Sequence, residues 1–295
     1  MAGDETITWG ELLREVADVL GDQQEARWLC EHAGGFDSSE FDSALTELVS
    51  ERSGMALRGM VARRATGEPL QYVMSRWAFR HLDVLVDKRV LIPRPETEVV
   101  VDTALAITSK IFARTKRKIR IADLGTGSGV IGLSLASEMP QGSTAVWLTD
   151  VSADALDVAR ANLAGLGLLD GEVAVMQGNW FEAFIDSADE LQNSFDLIVS
   201  NPPYIAEDDP SVEPIVRDYE PSLALFAGRD GLDAHREIIS RAGAWLASDG
   251  WLVLEIGHDQ GEVVREMLSL HNFERLEIRQ DYAGRDRVAL GQKKN

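Results

Sequence analysis

Ile119-Arg120-Ile121-Ala122-Asp123-Leu124-Gly125-Thr126-Gly127-Ser128-Gly129-Val130 is the stretch whose reading decides the fold. A short, mostly apolar run passes without a break into three glycines at alternate positions, and then into the apolar run Val130–Met139. Glycine reaches positive φ at no steric cost, so it lets a strand turn sharply into a helix and lets backbone approach a ligand closely. Working outward, strands are expected at Ile119–Leu124, Ala145–Asp150, Glu172–Met176, Phe195–Ser200, Trp251–Ile256, Phe273–Arg279 and Arg287–Gly291. Helices are expected at about Thr97–Ala113, Val130–Met139, Ala153–Leu166, Gly231–Ala247 and Glu262–Leu270. This alternation predicts an α/β domain, a parallel sheet covered on both faces. The last two strands are joined only by the turn Tyr282–Asp286, which favours a terminal antiparallel hairpin.

Upstream the pattern changes twice. Residues from about 8 to 66 read as short amphipathic helices. Leu12, Leu13, Val16, Val19 and Leu20 recur at helical spacing, as do Ala44, Leu45, Leu48 and Val49, with Gly21, Gly34-Gly35 and Gly54 as turns or helix ends. From Gly67 to Val90, Trp77, Phe79, Val84 and Val86 alternate with polar residues, the period of a β-hairpin. The prolines of Ile92-Pro93-Arg94-Pro95-Glu96-Thr97-Glu98 forbid a continuous helix or central strand, so a helix should begin just after them. The expected domains are therefore 1–66, a helical domain without catalytic residues; 67–91, a hairpin linker; and 92–295, the α/β domain.

The chain has 295 residues, of which 45% are hydrophobic and 26% charged, an ordinary globular composition. No apolar run reaches the roughly 18 residues of a membrane span. Met1–Leu20 lacks the basic start and apolar centre of a signal peptide. Cys30, the single cysteine, excludes an internal disulfide and fits a reducing cytoplasm, where it reads as a small buried hydrophobe. Against 29 Lys and Arg stand 49 Asp and Glu, a formal charge of −20. Nucleic-acid binding leaves a basic footprint, and the one basic cluster, Arg114–Arg120, reads as a solvated loop. No nucleic-acid substrate, no membrane and no metal are expected, and His81, His235 and His258 are too scattered for catalysis.

Two cofactors compete for the glycine loop. A dinucleotide fingerprint is literally present at Gly127, Gly129 and Gly132, although Gly132 falls a full turn into the helix. S-adenosylmethionine, which has no pyrophosphate, suits a loop Gly125–Gly129 that includes Thr126 and Ser128. Asp150, at the end of the next strand, suits the ribose hydroxyls of either; capping the following helix is the bland alternative, open equally to Ser152.

Phe195–Ser200 runs into Asn201-Pro202-Pro203-Tyr204. Ligands of open α/β sheets bind beyond the carboxyl ends of strands, so this tetrapeptide belongs at the crevice. The residue types suit transfer of a methyl group to a planar NH2. The lone pair of such a nitrogen is delocalised, and simple deprotonation near neutral pH does not activate it. A site can instead accept both N–H hydrogens and hold the nitrogen before the donor. Asn201 supplies a side-chain carbonyl, Pro202 a rigidly held backbone carbonyl, and Tyr204 an aromatic face. Catalysis then rests on orientation and desolvation. The group methylated is either an adenine amine or a carboxamide.

These segments are similar to a known family. Gly67–Tyr72, Leu91–Glu98, Asp123–Gly129, Asn201–Ile205 and Leu254–Gly257 resemble the protein-(glutamine-N5) methyltransferases of class I peptide chain release factors, the HemK or PrmC family. The resemblance covers nearly the whole chain. Ile92–Glu98 is its specific element, because Asn-Pro-Pro-Tyr also occurs in adenine-N6 methyltransferases. It implies a class I S-adenosylmethionine-dependent methyltransferase (Rossmann-like) domain preceded by a helical N-terminal domain and a hairpin linker; the helical domain's lack of catalytic residues makes substrate docking its expected role. It also implies methylation of the glutamine in a Gly-Gly-Gln motif, by a cytoplasmic protein expected to act as a monomer. Position by position, Gly125–Gly129 line the cofactor, Asp150 holds its ribose, Trp180 packs on its adenine, and Asn201, Pro202, Pro203 and Tyr204 bind the glutamine amide. Asn179 replaces an acid common in the family, and Ser75-Arg76 replaces a glycine-containing turn. The acidic residues Glu207, Asp208, Asp209, Glu213, Asp218 and Glu220 predict a site mouth that repels phosphate and attracts a basic protein loop. The other readings are N6-adenine methylation of DNA or RNA and a non-catalytic nucleotide-binding scaffold.

Overall fold

The structure, a computed structural model, describes residues 7–168 and 172–294. Of the expected domains, residues 1–6, 169–171 and 295 lie outside that set. The chain divides into two compact units, Met1–Arg76 and Trp77–Asn295.

The first unit is helical, with helices Trp9–Leu20, Gln23–Gly34, Ser38–Ala44, Glu51–Ala65 and Leu70–Met74. Local chemistry sets their ends. Thr8 with Glu11, and Asp37 with Glu40, form reciprocal capping boxes, and Asp22 and Ser50 cap two further helices. Leu12 and Val16 enter the core with Trp9, Leu29, Cys30 and Phe41. Burial pushes the Cys30 thiol up to about 12, so it stays protonated and inert. Three expectations fail here. The helical spacing of Ala44–Val49 is fortuitous: the helix stops at Ala44, and Leu48, 60% exposed, instead bridges to Thr8. Gly54 ends nothing and lies in the first turn of Glu51–Ala65. The strand-like stretch from Gly67 carries a helical turn, Leu70–Met74, before any strand begins.

Strands β1 (Arg76–Phe79) and β2 (Leu82–Leu85) pair as a two-stranded sheet. Arg80, in the turn between them, has φ 52°. Its backbone N–H donates to Glu98, and its guanidinium donates to Asp102 and Glu138. Those carboxylates stabilise a conformation that a non-glycine residue rarely adopts.

The second unit is built on a seven-stranded sheet of β3 (Ile119–Leu124), β4 (Thr144–Asp150), β5 (Val173–Gln177), β6 (Phe195–Ser200), β7 (Leu246–Glu255), β8 (Phe273–Gln280) and β9 (Asp286–Lys293). Its order is β5-β4-β3-β6-β7-β9-β8. β3 to β7 are parallel, whereas β9 is antiparallel to both β7 and β8, so the expected terminal hairpin is present and the sheet is mixed. Burial follows position: every residue of central β6 is buried, while no residue of edge strand β5 is. The helix expected at Gly231–Ala247 is only Asp233–Ala242. Trp245 continues its apolar spacing but stacks on Phe181 at 5.9 Å, and Leu246 already opens β7.

The order of strands places the site. From β3 the chain winds outward to β4 and β5, then returns to place β6 on the other side of β3. Such a reversal opens a crevice at the carboxyl ends of the two strands. Leu124 and Ser200, the last residues of β3 and β6, are paired in register, and Ser200 Oγ donates to the Leu124 carbonyl at 2.6 Å. The glycine loop and the tetrapeptide therefore leave adjacent strands at one level.

Candidate active site

The crevice holds a cleft of about 680 Å³. Gly125, Gly127 and Gly129 adopt φ 66°, 56° and 89°, as a turn of this tightness requires. Thr126 N donates to the Thr149 carbonyl of β4, and Asn162 joins the Ser128 carbonyl to the backbone of β2. Gly132 is explained differently from a dinucleotide fingerprint. A Cβ there would come within 2.2 Å of Leu148 and 3.1 Å of Val146, so this glycine serves helix-to-strand packing.

Two carboxylates hold the loop. Asp123, buried beneath it, accepts from Thr126 Oγ1 at 2.6 Å and Gly132 N at 2.9 Å, and burial pushes its pKa up to about 6. Asp150 accepts from Gly127 N and from Ser152 N, each at 2.9 Å, and burial raises its pKa as well. Ser152, not Asp150, caps the next helix through Ala155 N. Asp150 is thus left on the cleft wall with lone pairs to spare. Trp180 opens a 3-10 helix at φ 48°, and its ring lies over Gly125, 3.1 Å from where a Cβ would stand. Asn179 does not face an empty position: its amide donates to Glu237 at 3.4 Å.

Across the cleft, Asn201 Nδ2 donates to Thr97 Oγ1 at 3.3 Å. Among the described residues no backbone N–H donates to the Pro202 carbonyl. Tyr204 sits deeper. Its hydroxyl donates to Glu255 Oε1 at 3.2 Å and accepts from Arg287 at 3.3 Å, and burial followed by the Glu255 charge raises its pKa. Its carbonyl accepts from Gln260, and Gly231 passes so close that a Cβ would lie 2.4 Å from that oxygen.

Of the residues named from sequence, Gly125–Ser128, Asp150, Trp180, Asn201 and Pro203 line one cleft. Gly129, Pro202 and Tyr204 are not part of its lining. The acidic mouth is corrected in two ways. Glu220 is 5% exposed and accepts from Ile92 N and Arg94, tying the segment Ile92–Glu98 to the loop after the tetrapeptide. The cleft wall carries Lys88 and Arg89 together with Asp150, Asp154, Asp233 and Glu237, whereas Glu207 to Asp209 do not line it. Sequence reasoning missed Thr97, Glu237 and Glu255. Thr97 and Glu255 lay inside quoted segments, but nothing in the sequence says that they meet. Among the described residues no cluster of three or more His, Cys, Asp or Glu could hold a metal ion, and no helix is long and apolar enough to cross a membrane.

Over 292 residues, 97% of each chain, the sequence is 38% identical to the release factor glutamine methyltransferase of Agrobacterium fabrum. The chain belongs to the release factor glutamine methyltransferase family. A second member, from Xylella fastidiosa, is 44% identical over 80% of both chains. Residues 98–217 match the methyltransferase small domain and residues 5–74 the PrmC N-terminal domain. Among solved structures, the catalytic domain of hMettl16 bound to hairpin 1 of the MAT2A 3'UTR superposes with TM-score 0.55 at 18% identity, covering 79% of this chain and 80% of that one. A SAM-dependent methyltransferase from Agrobacterium tumefaciens superposes with TM-score 0.50 at 13% identity, covering 75% and 70%. Both share the fold alone. As its family implies, this chain is an S-adenosylmethionine-dependent methyltransferase with the expected α/β fold.

Proposed function

We propose that this protein transfers a methyl group from S-adenosylmethionine to the side-chain nitrogen N5 of the glutamine in the Gly-Gly-Gln motif of class I release factors. The observation that carries the reading is the register of β3 and β6, which brings the glycine loop and Asn201-Pro202-Pro203-Tyr204 to one crevice. The residues present fit the cofactor. Gly125 to Ser128 line the cleft, where a Cβ on Gly127 would project into open space, Asp150 presents a carboxylate suited to ribose hydroxyls, and Trp180 adds an aromatic wall beside Gly125. When bound, the cofactor supplies a methyl group on a positively charged sulfur, an electrophile that a neutral nitrogen can attack.

The protein's own groups then hold that nitrogen. Asn201 Oδ1 and the Pro202 carbonyl accept the two amide hydrogens, and Pro203 forms part of the wall. Tyr204 shapes the loop from beneath, its hydroxyl fixed by Glu255 and Arg287. The amide loses one proton to solvent as it gains the methyl, and holding it away from competing water lowers the barrier by orientation. The helical unit, free of such residues, docks the release factor, and the protein acts as a cytoplasmic monomer. Membership of a family named for release factor glutamine supports this reading over adenine methylation, and the residues assembled at the crevice support it over a scaffold.

The test is transfer of labelled methyl from S-adenosylmethionine to a purified release factor. Label is expected on the wild-type factor and absent when its Gly-Gly-Gln glutamine is replaced by alanine. Equal labelling of that mutant, or labelling of nucleic acid instead, would overturn the proposal.

A further inference from the structure

We propose that Asn179 reads the adenine of S-adenosylmethionine, its side-chain carbonyl accepting from the exocyclic amine, and that Glu237 is the positioning residue that turns this carbonyl toward the base. This rests on the placement of the ribose at Asp150 given above. A nucleoside held by its ribose at the end of β4 sets its base beyond the ribose, over the end of the next strand. That strand is β5, and the segment after it, Gly178-Asn179-Trp180, lines the cleft together with Asp150 and Glu237. Gly178 N donates to the Asp150 carbonyl at 3.0 Å, and a Cβ on Gly178 would come within 2.3 Å of Ala183 N, so the segment is fixed on both sides. Trp180 offers a flat base its ring but no acceptor. The amine that distinguishes adenine from hypoxanthine needs one.

Asn179 is the N-cap of the 3-10 helix Trp180–Ser187, yet its side chain makes no capping bond. An asparagine there ordinarily folds its carbonyl onto the first backbone N–H groups. Here the main chain closes the turn, with Glu182 N donating to the Asn179 backbone carbonyl at 2.9 Å. The side chain turns instead to the helix Asp233–Ala242, where its Nδ2 donates to Glu237 Oε1 at 3.4 Å. The Arg241 guanidinium donates to the same oxygen at 3.2 Å and lies over the Phe181 ring at 5.7 Å, so Glu237 is itself held. A carboxylate paired with an arginine only accepts, and the reversed amide would set Oδ1 against it, acceptor against acceptor. Glu237 therefore fixes the direction of the amide. Asn179 Oδ1 accepts no hydrogen bond among the described residues and is left for a ligand. The acid common in the family at this position would place a second negative charge beside Glu237. In this chain the acceptor is neutral, and the charge stands behind it.

The test measures Kd by calorimetry for S-adenosylhomocysteine and for its hypoxanthine counterpart, in which a carbonyl replaces the adenine amine. The wild-type protein is expected to bind the adenine form about tenfold or more tightly. Asn179→Ala and Glu237→Ala, the second leaving the amide free to turn, should each reduce that ratio to within about threefold. Glu237 and Arg241 are both partly exposed, so their pair adds little to stability and the variants are expected to fold. Asn179→Asp should weaken binding of the adenine form about fivefold or more through repulsion from Glu237, and Asn179→Asp/Glu237→Gln should recover it to within about threefold of wild type. Asp150→Ala, the control, should weaken both ligands alike and leave the ratio unchanged. Wild-type affinity in Asp150→Ala overturns the ribose placement and this proposal with it. The expected loss in Asp150→Ala beside an unchanged ratio in Asn179→Ala overturns this proposal alone. A ratio lost in Glu237→Ala but kept in Asn179→Ala makes Glu237 the reader of the amine and overturns it as well, as does wild-type affinity in Asn179→Asp.

Discussion

Replacing Glu255 by glutamine should change how the stability of the protein depends on pH. Burial pushes the Glu255 carboxyl from 4.5 up to about 7, against the Thr97 hydroxyl, the Arg287 charge and the Tyr204 phenol, which lower it, and with the Glu96 charge, which raises it further. The folded protein therefore holds this proton over a range in which the unfolded chain has lost it. A group whose folded pKa is raised adds stability that is complete below its unfolded pKa and disappears as pH rises through its folded pKa. Between pH 4.5 and 7 the slope is about −1.4 kcal/mol per pH unit, so the whole contribution is on the order of 3 kcal/mol. Asp123, pushed up to about 6, adds a slope of the same sign. His235 adds the opposite sign, because burial lowers its pKa to about 4 and protonation below 6.5 destabilises the fold. Both terms remain in the variant and cancel in a comparison. Urea unfolding of wild type and Glu255→Gln at half-unit steps from pH 5 to 8 isolates the Glu255 slope. The expected result is that wild type loses on the order of 3 kcal/mol relative to the variant across that range. A constant vertical offset would report only the new amide's hydrogen bonding. Parallel curves would refute the reasoning, since they would mean that Glu255 titrates alike in the folded and unfolded chains.

Two further outcomes are expected from the geometry. Gly125→Ala puts a Cβ 3.1 Å from the Trp180 ring at a φ of 66°, strain on the order of 1–2 kcal/mol beside the cofactor wall. Its Kd for S-adenosylmethionine, measured by calorimetry, should rise by about tenfold or more. Glu220→Ala leaves Arg94 and the Ile92 N–H without their carboxylate. It should lower stability by about 2 kcal/mol and Tm by a few degrees in a thermal scan.

Much of the α/β unit was legible because its signals are local. β3, its glycines and the following helix could be read from alternating glycine and apolar runs, and Ser152 from its capping chemistry. Errors arose where a tertiary contact overrode local spacing. Trp245 continues a helical apolar pattern, yet stacking on Phe181 and the start of β7 end the helix at Ala242. Leu48 has the spacing of a helix but bridges to Thr8. Glu220 was counted among surface acids, whereas Arg94 and Ile92, more than a hundred residues away in the chain, take it into the interior.

The glycine loop and the tetrapeptide name the reaction by themselves, because each consists of residues chosen for backbone shape and hydrogen-bonding type, properties that neighbours in sequence determine. Their meeting is a property of the sheet. Only the strand order, with β6 returning beside β3, places the loop after Leu124 level with Asn201. Only packing brings Thr97, from a segment that precedes the sheet, within hydrogen-bond reach of Asn201. A sequence carries the donors and acceptors of a site, but the direction in which they are joined depends on distances that exist only after folding.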